Sequence, residues 1–160
     1  MAKGNDDKTN VMRLLDKKKI KYNVHNYVES GAVAGMEVAA LLGEDADNVF
    51  KTLVTIGKSN TYYVFMVPVN CELDLKKAAK SVGEKKIEMI KSKDLLELTG
   101  YIHGGCSPIG MKKFFRTTIH ESVNACDKIF FSAGRIGFQI ECKLEDLQKM
   151  IKLYIDDIVV

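Results

Sequence analysis

The sequence predicts a single α+β domain, spanning residues 1–160, with a mixed and mostly antiparallel sheet. Three observations predict it. Short alternating apolar runs read as strands, and two of them, residues 49–56 and 61–69, are separated only by the turn Gly57-Lys58-Ser59-Asn60. Stretches with helical spacing interrupt the strands without alternating regularly with them, which argues against an all-parallel sheet. The chain has 160 residues, two prolines, no internal repeat and no Pro-, Gly- or Ser-rich linker, which suits one domain with its own core.

Each element has a local reason. A first helix is expected over residues 9–19, with Thr9 as N-cap, Val11, Leu14 and Leu15 on one face, and Lys17, Lys18 and Lys19 where the helix dipole favours cations. Residues 22–27, Tyr-Asn-Val-His-Asn-Tyr, alternate as a strand. A short helix over 36–42 stops at Gly43. After the hairpin, Asp74 caps a helix whose apolar face is Leu75, Ala78, Ala79 and Val82, and Gly83 ends it. A brief strand is expected at 86–90. Ser92 then reads as the cap of a helix over 93–98 that Gly100 terminates. Three further strands are expected at 117–119, 128–132 and 137–142, the last two joined through Ala133-Gly134-Arg135. An amphipathic helix over 144–154 closes the chain.

Composition excludes several classes. Lys plus Arg is 24 and Asp plus Glu is 21, a formal net charge of +3, too small for a general nucleic-acid coat though compatible with a local basic patch. Arg13, Arg116 and Arg135 are the three arginines, so bidentate recognition of phosphate is scarce. With 46% hydrophobic and 28% charged residues the chain reads as globular rather than disordered. No stretch is apolar for long enough to cross a bilayer, and residues 1–7 lack the apolar core of a signal peptide, so the expected location is the cytoplasm, away from membranes. Cys71, Cys106, Cys126 and Cys142 form no C-x-x-C pair, which removes the local signatures of a zinc knuckle or a thioredoxin site and leaves reduced thiols, mostly small core residues.

Four features carry candidate chemistry. Lys51 shares a strand face with Val49 and Leu53; from spacing alone the plainer reading is an edge lysine whose head reaches water. The loop Gly104-Gly105-Cys106-Ser107-Pro108-Ile109-Gly110 is either a tight structural turn or a loop that lets a ligand approach backbone N–H groups. It is not a phosphate-binding P-loop, because Met111 separates the last glycine from Lys112 and Lys113. Cys106 in that loop is a nucleophile candidate, with His25, His103 and His120 as the available bases. Ser132 sits beside a hairpin turn, and Gln139 alternates with Phe138 and Ile140; turned inward, its amide needs hydrogen-bond partners that a ligand would supply. Lys76, Lys77, Lys80, Lys85 and Lys86 form a basic cluster, either merely solvated or able to hold a phosphate backbone.

Taken in order, five stretches resemble the YbaK/EbsC family of aminoacyl-tRNA deacylases. They are Val49-Phe50-Lys51-Thr52-Leu53-Val54, Glu72-Leu73-Asp74-Leu75-Lys76-Lys77-Ala78-Ala79-Lys80, Gly83-Glu84-Lys85-Lys86-Ile87-Glu88-Met89, Thr99-Gly100-Tyr101 with the glycine loop, and Ser132-Ala133-Gly134-Arg135-Ile136-Gly137. The resemblance runs from Thr9 to Leu147 and is greatest to the branch that clears Cys-tRNA(Pro), a mischarging product of prolyl-tRNA synthetase.

That resemblance implies one curled, barrel-like sheet flanked by helices, with a pocket for the tRNA 3′ end. It implies catalytic roles for Lys51, Gly104 and Gly105, and substrate contacts for Tyr27, Ser107, Pro108, Ser132 and Gln139. Some relatives carry an aspartate at the Gln139 position, and an amide cannot act as a general base. It also implies a substrate-assisted reaction, in which the thiol of the bound cysteine attacks its own ester carbonyl, with neither metal nor cofactor. The expected partners are the aminoacylated tRNA 3′ end, chiefly Cys-tRNA(Pro), and prolyl-tRNA synthetase. Editing of Ala-tRNA(Pro) on the same scaffold and a non-catalytic module that binds tRNA or a synthetase remain open alternatives.

Overall fold

The computed structural model describes residues 8–160; the N-terminal residues 1–7, read above for a signal peptide, lie outside the described residues. In chain order the elements are α1 (Asn10–Lys17), β1 (Asn23–Asn26), α2 (Gly35–Leu42), β2 (Phe50–Gly57), β3 (Tyr62–Pro68), α3 (Leu75–Val82), β4 (Ile87–Met89), α4 (Ser92–Thr99), β5 (Arg116–His120), β6 (Ile129–Ser132), β7 (Phe138–Cys142), α5 (Leu144–Met150) and β8 (Leu153–Asp156). None of the described helices is long and apolar enough to cross a membrane.

The strands pair in two sheets. One has the order β1-β7-β6, the other β4-β2-β3-β5-β8. The three-stranded sheet is antiparallel throughout, as are the β2–β3 and β2–β4 pairs, whereas β3–β5 and β5–β8 run parallel. The expectation of a mixed, mostly antiparallel arrangement therefore holds. A single curled, barrel-like sheet does not describe it: the two sheets meet at one isolated parallel bridge, Val49 to Phe130.

Alternation along β3 decides the layering. Val64 and Met66 point into the larger core, with Val11 and Leu15 of α1 and Ile129, Phe131 and Ile140 of the smaller sheet. Tyr63, Phe65 and Val67 point the other way, against Ala78 and Ala79 of α3. The five-stranded sheet is thus covered on both faces, which is why β3 is buried along nearly its whole length.

Most of the local signals act as expected. Thr9 Oγ1 accepts from Met12 N at 3.3 Å, and Asp74 Oδ1 accepts from Lys76 N and Lys77 N at 2.9 and 3.0 Å. Gly43, Gly83 and Gly100 end their helices in the left-handed conformation. Three expectations need correction. Ser92 is the first residue of α4 and not its cap; Lys91 holds the cap position without a side-chain bond. Leu75 lies largely outside the apolar face proposed for α3, being 41% exposed. The closing helix ends at Met150, and Leu153–Asp156 forms β8 instead, parallel to β5. The apolar residues there fit either period, and pairing to the otherwise open β5 edge decides for the strand.

Candidate functional site

A cavity of about 610 Å³ opens at the seam where β2 and β6 come together. Its walls are supplied by the start of β2, the N-terminal part of α2, the turn at 103–106, and the facing ends of β6 and β7. Tyr27, Lys51, Gly104, Ser132 and Gln139, five of the eight residues expected at the site, line it together. They come from five places in the chain, so the fold performs the assembly.

Lys51 is half-buried on β2, opposite Val67 of β3, and shares a strand face with Leu53. It forms no ion pair with any described residue, which leaves the ammonium free for a ligand. β4 pairs with β2 only at Thr55–Gly57, so at Lys51 that edge of β2 is not covered by β4, in keeping with the edge position that spacing favours, and Lys51 stands at the cavity. Its neighbour Thr52, not singled out from the sequence, also lines the cavity, and its buried Oγ1 has no partner among the described residues.

The glycine loop divides into two functions. Gly104 has φ +86°, and a Cβ there would stand 2.7 Å from Val33 Cγ1, so only glycine brings this backbone to the cavity wall without a clash. Gly105 does not line the cavity. Its N–H donates to the Ile102 carbonyl at 2.9 Å, and a Cβ would meet Ile136 N at 3.1 Å, so it is packed against the β6–β7 turn. Ser107 and Pro108 are also buried away from the cavity lining. Ser107 Oγ accepts from Ile109 N at 3.3 Å, and Tyr101 Oη donates to the Ile109 carbonyl. Gly105, Ser107 and Pro108, expected at the site, thus sit behind the cavity wall and do not line it.

Tyr27 follows the last residue of β1 and extends its pairing, with its N–H donating to the Gly137 carbonyl at 2.8 Å. Burial pushes its phenol upward, as does the nearby Glu44 charge, so it remains a neutral donor. Ser132 Oγ accepts from Gly134 N at 3.1 Å, which leaves the hydroxyl proton to donate elsewhere. Gln139, 3% exposed, faces Ser132 on one side and His25 on the other in the strand register. Its Nε2 donates to Glu44 Oε1 at 2.9 Å, a partner that no local sequence signal identified, because 95 residues separate the two.

Cys106 borders the cavity, but burial pushes its thiol up to about 12. It is therefore neutral near pH 7 and a poor nucleophile. Of the three histidines, His103 lines the cavity. His25 is held by Glu141 at 2.7 Å, and His120 Nδ1 accepts from Ile158 N at 3.3 Å. The lysine cluster is only partly free: Lys77 pairs with Asp157 and Lys86 with Glu88.

The family model for the aminoacyl-tRNA editing domain matches residues 30–150. A protein of Enterococcus faecalis named as a candidate Cys-tRNA(Pro)/Cys-tRNA(Cys) deacylase, EbsC, is 46% identical over 140 residues, covering 87% of this chain and 85% of that protein. A proline–tRNA ligase of Shouchella clausii is 33% identical over 76 residues, which is 48% of this chain but 13% of the ligase. The crystal structure of a candidate trans-editing enzyme for prolyl-tRNA synthetase superposes with a TM-score of 0.83 at 20% identity, covering 95% of this chain and 98% of that one, a likeness of fold.

Proposed function

The chain belongs to the aminoacyl-tRNA editing domain family, and from that membership we propose that it deacylates mischarged tRNA, releasing cysteine from Cys-tRNA(Pro). It is an aminoacyl-tRNA deacylase, and the cavity receives the aminoacylated 3′ end. The observation that carries the mechanism is an uncommitted Lys51 ammonium on the wall of a cavity whose one protein thiol, Cys106, is buried and neutral.

An aminoacyl ester is already activated, so its cleavage depends more on positioning than on a strong base. Lys51 binds the 3′-terminal nucleotide as a point charge, at its phosphate or ribose oxygens. The Gly104 N–H and the Ser132 hydroxyl donate toward the ester carbonyl oxygen as negative charge develops there. The attacking group is the thiol of the substrate cysteine. Its sulfur bonds to the ester carbonyl carbon, the bond from that carbon to the ribose oxygen breaks, and the thiol proton ends on the ribose hydroxyl. Water then opens the resulting thiolactone to free cysteine.

A hydroxyl in place of the thiol is far less nucleophilic at neutral pH, so Ser-tRNA(Pro) is expected to survive where Cys-tRNA(Pro) is cleared. Single-turnover deacylation of both substrates tests this, and equal rates exclude the substrate-assisted step. Prolyl-tRNA synthetase is the proposed presenting partner, since three arginines and a net +3 provide little means of reading a tRNA body. An unchanged rate and tRNA preference on adding the synthetase counts against it.

A further inference from the structure

One pair beside the cavity, the buried Gln139 and the half-buried Glu44, is unexplained by the roles above. Gln139 has its Nε2 bonded to Glu44 Oε1, while its Oε1 is buried with no partner among the described residues. A carboxylate only accepts, so it fixes which end of the amide faces it. The amide nitrogen must turn to Glu44, and the amide oxygen is left unpaired on a residue that lines the cavity. A buried acceptor without a donor is costly, and a ligand with an N–H group removes that cost.

We propose that Glu44 is a positioning residue for the aminoacyl end of the substrate: it holds the Gln139 amide with Oε1 available to accept a hydrogen bond from the substrate's α-ammonium group. The α-ammonium is the cationic donor of an aminoacyl ester, and the Glu44 charge lies one hydrogen bond behind the acceptor. The same charge disfavours a phosphate at this end. Lys51 provides the opposite preference on its own part of the wall. The two ends together orient the substrate, with nucleotide toward Lys51 and ammonium toward Gln139. This inference rests on the deacylase reading for the identity of the ligand. It does not require Gln139 to move a proton, which an amide cannot do.

The test compares tRNA(Pro) carrying cysteine with tRNA(Pro) carrying 3-mercaptopropionate, which keeps the thiol and lacks the amine. In the unaltered protein the loss of the amine is expected to lower kcat/KM about tenfold or more. In Glu44→Gln, whose new amide is able to donate to Gln139 Oε1 and turn the side chain round, and in Gln139→Leu, the ratio between the two substrates is expected to approach one. A merely structural role for Glu44 slows both substrates alike and leaves the ratio intact, and that result overturns the proposal. Binding of 3′-cysteinylamino-3′-deoxyadenosine and its desamino counterpart is measured in parallel by calorimetry. If the unaltered protein fails to release cysteine, yet prefers the amine-bearing analogue in a way both variants lose, the deacylase reading fails and the Glu44 assignment stands. If the preference is absent, or persists in both variants, the assignment fails.

Discussion

At the scale of single residues, the site depends on which side chains are free and which are committed. Lys51 has no ion-pair partner among the described residues, so removing its head leaves no buried charge behind. Lys51→Ala is expected to retain its melting temperature while single-turnover deacylation falls on the order of a hundredfold. Cys106→Ala is expected to keep its rate within about threefold, because a thiol raised to about 12 is protonated at neutral pH. A large loss with the fold intact would assign the nucleophile to the protein. Glu141 makes a prediction about pH. Burial alone raises its carboxyl, but hydrogen bonds from His25, Lys128 and Asn23 outweigh it and hold the group below its ordinary value. The unfolded chain therefore binds the proton first as pH falls. The stability Glu141 contributes is full above the ordinary carboxylate value and is lost as pH drops through the depressed folded value. Melting temperatures from about pH 6 to about pH 3 are expected to decline less steeply in Glu141→Gln than in the unaltered protein. Lys51 and Ser132 were legible in motifs. Glu44 was not, because its significance arises only when β7 brings Gln139 to it.

At the scale of elements, the loop at 101–110 is held by bonds that do not touch substrate. Tyr101 Oη donates to the Ile109 carbonyl, and both groups are buried. Tyr101→Phe leaves that carbonyl unpaired, at a cost of about 1–3 kcal/mol. It is expected to lower the denaturation midpoint and to weaken activity through loss of Gly104 placement. Normal activity at reduced stability would detach the loop's rigidity from catalysis. Asp74 does not line the cavity and serves as a control. Asp74→Ala removes the acceptor for two N–H groups of α3, with an expected cost of about 1 kcal/mol and unchanged deacylation. The Thr9 and Asp74 caps and the terminal glycines were readable because they act within four residues, whereas Ser92 proved to lie inside its helix. The end of α5 was not. Leu153–Asp156 becomes β8 only because β5 offers a free edge, and that is a tertiary fact. The glycine loop read as either a tight turn or a ligand loop, and the division between Gly104 at the wall and Gly105 against the turn follows from packing with Ile136.

At the scale of the whole molecule, two sheets meeting at one bridge create the seam that the cavity occupies. The α+β class and most strand positions were visible in periodicity. The split into two sheets was not, since pairing partners distant in sequence leave no local mark. A net charge of +3 fits a protein that grips only the end of a tRNA. The logarithm of kcat/KM is then expected to fall only gently with the logarithm of salt concentration. A slope of about −2 corresponds to about three single-strand phosphates, and a slope near −7 would mean that the tRNA body is bound as well. The central claim is that the cavity provides placement and the substrate provides the nucleophile. Single-turnover deacylation of tRNA(Pro) charged in turn with cysteine, alanine and serine tests it most directly. The account predicts rapid release of cysteine and survival of both the alanyl and seryl esters; comparable release of all three, or release of alanine in preference to cysteine, would contradict it.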